Sequence, residues 1–195
     1  MHKAIIFSIL SLLSLSALAQ SGNTPAENAK KENSFKFFNT KKHPEYFSDC
    51  ASVTMADGST KAIADVKIGE NVKTCRNGKS VVTQVKQVAV YDSPSSSLTA
   101  VYLRPAYESV ADKSKLTPAL LLEATPHHLV QTNKGRKRMK ELSKNDILYH
   151  FEPETGVVST WKVGVIQANA RKVSKAYNLE TEEGTYLVSN MIMAQ

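Results

Sequence analysis

DGSTKAIADVKIGENV, residues 57–72, and KGRKRMKELSKNDILYH, residues 134–150, decide how this chain is read. The first sets Ile63, Val66, Gly69 and Val72 three residues apart. The second sets Met139, Leu142, Asn145 and Leu148 at the same steps, 76 residues later. Lys61 then answers Lys137, Asp65 answers Glu141, and Glu70 answers Asp146. Just upstream, Val53 to Gly58 parallels Val130 to Gly135 at an offset of 77. Two related β units imply an approximate two-fold inside one domain. Asn145 in place of Gly69 predicts a left-handed backbone at that turn, because asparagine tolerates it better than most residues.

Outward from the repeat the chain reads as strands. Runs rich in Val, Ile, Thr and Tyr recur: VVTQVKQVAV (81–90), LTAVYLR (98–104), ALLLEAT (119–125), WKVGVIQA (161–168) and TYLVSNMIM (185–193). Turn-forming pieces such as ADG, RNGK, DSPSSS, TNKG and EPETG separate them. No long amphipathic helical period occurs. The expected fold class is all-β, a single domain over residues 46–195.

The first 45 residues differ in kind. MHKAIIFSILSLLSLSALAQ has a basic start, an apolar run and a small-x-small site at Ala17-Leu18-Ala19. This predicts a signal peptide at 1–19, a mature chain from about Gln20, and a secreted or periplasmic location with no stable membrane anchor. Residues 20–45 read as a polar, lysine-rich linker, interrupted by Phe35, Phe37 and Phe38. The net charge of +7 suits solubility or weak attraction to anionic surfaces and specifies neither. Cys50 and Cys75 are the two cysteines; an oxidising compartment would allow one pairing, which the sequence leaves open.

Three blocks carry a family resemblance: FSDCASVTMADGSTKAIADVKIGENV (47–72), ATPHHLVQTNKGRKRMKELSKNDIL (124–148) and AYNLETEEGTYLVSN (176–190). Together they resemble the Hint domain of hedgehog proteins and inteins. Thr125-Pro126-His127-His128-Leu129 fits that family's Thr-x-x-His-Leu pattern. The resemblance implies self-processing of the chain's own peptide bonds. A cysteine opening the domain attacks the carbonyl before it, and the Thr and His act on the departing amide. It places Thr125 and His128 in those roles, with Cys50 as the available thiol.

The resemblance also breaks. An ungapped alignment on Phe47, Ser48, Val53, Thr54, Asp57 and Gly58 puts Tyr46 in the nucleophile slot and Cys50 four residues late. A phenol, with a pKa of ~10 against ~8.5 for a thiol, is the poorer attacking group. At the other end, Ala194 and Gln195 stand where splicing relatives carry His-Asn, and the chain ends there. Full splicing is not expected; N-terminal thioester-forming cleavage is the activity that could survive, autocatalytic and without turnover. The alternative is a Hint-fold remnant kept for binding or structure.

KGRKRMK (134–140) reads as a solvated turn, without the interleaved aromatics of a nucleic-acid platform. His43, His127, His128 and His150 lack the spacing of a zinc site, and no GxSxG elbow occurs. No cofactor, no metal and no nucleic-acid partner are expected; the substrate, if any, is the chain itself.

Overall fold

The computed structural model describes residues 44–107 and 118–195. The expected leader, residues 20–43 of the linker with their three phenylalanines, and His43 lie outside the described residues.

The described residues form strands and 3-10 turns, as an all-β fold requires. The first unit is β1 (Phe47–Ser48), β2 (Ser52–Thr54), β3 (Thr60–Ala62), a 3-10 turn (Ile63–Asp65), β4 (Asn71–Arg76), β5 (Lys79–Asp92) and β6 (Leu98–Pro105). The second repeats it: β7 (Leu120–Ala124), β8 (Leu129–Thr132), β9 (Gly135–Arg138), a 3-10 turn (Met139–Glu141), β10 (Ile147–Phe151), β11 (Val158–Arg171) and β12 (Lys175–Thr181). A hairpin of β13 (Thr185–Val188) and β14 (Met191–Ala194) closes the chain. The sequence reads 185–193 as one run. Ser189 and Asn190 instead take φ of 48° and 59°, turning it into two paired strands.

The units exchange strands. β5 pairs with β4 over its first half and with β12 over its second. β11 does the same with β10 and then β6. Each long strand therefore binds the last strand of the other unit. One sheet runs β1-β12-β5-β4; the other contains the matching order β7-β6-β11-β10 and continues through β8, β14, β13 and β2 to β3, with β9 on β8. One bulge corresponds, between Val85 and Gln87 in β5 and between Val163 and Val165 in β11, while the shift between Gln167 and Arg171 is particular to β11.

The repeated residues account for this. Ile63 and Met139 are both fully buried, as are Val72 and Leu148. In both units the residue after the 3-10 turn donates back into it at 3.3 Å, Val66 N to Ile63 O and Leu142 N to Met139 O. Glu70 accepts from Lys67 N at 2.9 Å and from Lys61 Nζ at 2.7 Å. Asp146 accepts from Ser143 N and Lys137 Nζ, each at 2.8 Å. One expectation fails. Gly69 has φ +88°, but Asn145 is absent from the residues at positive φ. The two turns close the same hydrogen bond, Glu70 N to Lys67 O and Asp146 N to Ser143 O, along different dihedral paths. A turn with positive φ at its third residue is the type II pattern, and one without it is open to any residue.

Candidate functional site

Thr125 to His128 is a turn closed by His128 N donating to Thr125 O at 3.1 Å. It follows β7 directly, so it sits where the second unit meets the start of the first. Tyr46 N donates to Thr125 Oγ1 at 3.1 Å, and Thr125 N donates to Tyr46 O at 3.0 Å. Thr125 thus grips the peptide group of residue 46 from a fully buried position.

His128 is fully buried, with its ring 4.3 Å from that of Phe47. Its Nδ1 faces the Leu129 carbonyl at 3.1 Å. A carbonyl only accepts, so Nδ1 carries the proton and Nε2 the lone pair. Nε2 has no hydrogen-bond partner among the described residues. Burial drives the imidazole down to about 4, and the Leu129 carbonyl and Asn178 only partly oppose it. At neutral pH the ring is therefore uncharged.

The other end of the chain joins the same place. Ala194 on β14 is paired with Leu129, the residue after His128. Gln195 is fixed by backbone: its Oε1 accepts from Thr181 N at 3.1 Å, its Nε2 donates to Leu179 O, and its own N donates to Gly184 O. That side-chain amide is committed to β12.

The structure brings Tyr46, Thr125 and His128 together, pairs Ala194 with the neighbouring Leu129, ties Gln195 to β12, and leaves Cys50 out. Cys50 lies on the exposed turn between β1 and β2. Its Sγ is 3.4 Å from Ser48 Oγ, which also accepts from Arg171 at 3.1 Å. No contact links it to His128, and Thr125 holds the amide of residue 46 instead. Both cysteines are free, so the Cys50–Cys75 pairing is not made. Cys75 sits on β4, and burial raises its thiol.

Tyr46 turns its side chain to another partner. Its phenol donates to Ser96 O at 2.7 Å, and burial raises its pKa. A cysteine sulfur can close a five-membered ring onto the carbonyl before it. The para oxygen of tyrosine, across a rigid ring, cannot fold back that way.

Asn178 and Tyr186 escaped sequence reasoning. Tyr186, fully buried, donates its hydroxyl to Asn178 Oδ1 at 2.7 Å. They come from β12 and β13, and the signal available was a polar residue inside the third block. The basic run 134–140 is a turn and the start of a β unit, solvated on one side, and most of its charges are partnered. Lys134 and Lys137 reach Asp146, Arg138 reaches Glu141, and Arg136 donates to Gln195 O.

No protein-family model matches this sequence, and neither does any curated protein. Solved structures do match in shape. A DnaB intein from Synechocystis sp. PCC 6803 superposes with TM-score 0.60 at 16% identity, covering 77% of this chain and 98% of its own. An intein from a hyperthermophile gives 0.60 at 14%, covering 78% and 100%. A bacterial intein-like domain from Clostridium thermocellum gives 0.53 at 16%, again covering 78% and 100%. This chain has the Hint fold of the inteins.

Proposed function

We propose that this chain is a secreted Hint-fold module of the self-processing class whose N-terminal cleavage site persists as a structural junction without its own nucleophile. One observation carries the reading. Thr125 Oγ1 holds the amide of residue 46 while the Tyr46 phenol points away to Ser96. An amide held this way still needs an attacking atom, and neither Tyr46 nor Cys50 provides one. Secretion through residues 1–19 belongs to the same reading, from the leader pattern.

Intact mass tests it. The purified chain, incubated with excess thiol or hydroxylamine, should stay whole at both Glu45–Tyr46 and Asp49–Cys50. Tyr46→Cys restores a thiol to the held amide and should yield thiol-dependent cleavage after Glu45. Adding His128→Ala to that variant should suppress it. Cleavage of the unaltered chain at either bond would overturn the proposal.

A further inference from the structure

The outward face of β11, β6 and β7 carries a row of apolar side chains. Its inner side is ordinary core: Val101, Leu103, Leu122 and Val163 are all buried. On the outer side, Val165 is registered with Tyr102, and Tyr102 with Leu121. Directly paired residues point to the same face. One row of three large apolar side chains therefore crosses three strands, exposed by 60%, 37% and 44%. Single exposed apolar residues need no account, but a contiguous row does.

The internal two-fold supplies a control. Just past the matching bulge in the other sheet, Gln87 on β5 is registered with Glu180 on β12. The same outward pair is polar in one half and Val165–Tyr102 in the other. The fold does not demand the apolar row. Among the described residues no strand pairs beyond β7, which ends the strand order.

The chain itself indicates what covers it. Forty-three residues precede Pro44. They join the domain beside Tyr46, which is bonded to Thr125, the residue that follows β7. Within them, SFKFF (34–38) spaces Phe35 and Phe37 two residues apart, the spacing that puts two side chains on one face of a strand. The nine steps from Phe37 to Tyr46 span up to ~30 Å. The four steps from Thr125 back to Leu121 need only ~13 Å. A link of nine residues also presents its end at an effective concentration near ~1 mM, well above that of a second copy in dilute solution. We propose that residues 34–38 dock their phenylalanines on the Val165–Tyr102–Leu121 row of the same chain, covering the β7 end of the sheet. This rests on the reading that the junction at residue 46 stays whole, since cleavage after Glu45 would release residues 34–38 from the domain, and intact mass checks that separately from the crosslink.

The test uses the full chain with Cys50→Ser and Cys75→Ser. In that background Phe37→Cys is combined with Leu121→Cys, or with Val82→Cys, a 54%-exposed position on β5. Under mild oxidation at micromolar protein, the 37–121 pair should crosslink within one molecule at least about tenfold faster than the 37–82 pair. Equal rates would overturn the proposal. Crosslinks only between molecules would also overturn it, assigning the row to a second copy. Hydrogen exchange gives a second reading that adds no cysteine. Phe35→Ser with Phe37→Ser and Phe38→Ser should raise exchange in residues 98–105 and 120–124 and leave β4 unchanged. Unaltered exchange in β6 and β7 would overturn it too.

Discussion

Residues 48–51 and 125–128 make the same turn with different side chains. Ala51 N donates to Ser48 O at 3.1 Å, as His128 N does to Thr125 O. Ala51 O then accepts from Ile63 N, and His128 O accepts from Met139 N. The backbone is one object used twice. On it, Ser48 answers Thr125, Cys50 answers His127, and Ala51 answers His128. One copy contacts Arg171 at the surface; the other buries an imidazole and holds the amide of residue 46. Scaffold and site are separable here, because the repeated hydrogen bonds come from backbone and the differences lie in the side chains.

The scaffold half of that statement breaks most visibly in the core. Ile63 and Met139 fill equivalent, fully buried positions beneath the two 3-10 turns. Ile63→Ala and Met139→Ala should each cost about 3 kcal/mol, within ~1 kcal/mol of each other. Chemical denaturation measures both. A several-fold disparity would mean that the units do not share the load as their geometry suggests.

The carboxylates should separate the units. The Asp146 side chain is fully buried, bonded to Lys137, Lys134 and Ser143. Burial alone would raise its pKa, but those hydrogen bonds outweigh it and hold the carboxyl below its ordinary value. Glu70 makes the analogous bonds with its side chain 30% exposed, in solvent that screens them. Asp146→Ala should cost about 3 kcal/mol, since it strands Lys137 and the Ser143 N–H. Glu70→Ala should cost less than ~1 kcal/mol. Similar losses would show that burial does not distinguish the pairs.

Much of this was legible beforehand because it is local. Apolar steps of three, a lysine, and an acidic residue closing a turn all fall within about twenty residues, and their meaning survives any tertiary context. The expectation for Tyr46 came from spacing of the same local kind, its fixed distance from Asp57-Gly58. The strand exchange was not. Nothing in VVTQVKQVAV says that its second half pairs with residues 175–181 rather than with its neighbour in the chain. The Asn178–Tyr186 pair was hidden likewise, its residues coming from separate strands. Asn145 misled because asparagine accommodates left-handed backbone without requiring it.

His128 has no titratable counterpart, since the matching residue is Ala51, so pH should expose the difference between the sites. Folding buries the imidazole neutral and lowers its pKa from an ordinary 6.5 to about 4. The unfolded chain then binds the extra proton, so stability falls as pH drops from about 6.5 towards 4 and stops falling on this account below that. Asn178 and Leu129 face the ring, and neither carries a charge to offset protonation. Between pH 7 and pH 5 the loss should be about 2 kcal/mol. Denaturation at both pH values, compared with His128→Gln, checks it. The slope should shrink by that amount in the variant; an unchanged slope would place its origin in another group.

The smallest expected effect tests the one place where the scaffold itself differs. Gly69 has φ +88°, and a Cβ built there would meet nothing within 4 Å. Any cost of Gly69→Ala is therefore conformational, about 1 kcal/mol for an L-residue held left-handed. Asn145 occupies the equivalent turn without a positive φ. Asn145→Ala should stay within ~0.5 kcal/mol of the unaltered chain, because alanine accepts that backbone freely. Urea midpoints of the two variants resolve the difference. If Asn145→Ala costs as much as Gly69→Ala, the second turn is left-handed in solution, and the two units are more alike than their dihedrals indicate. If both are near neutral, the first turn relaxes to the path of the second, and Gly69 is a choice the fold does not need.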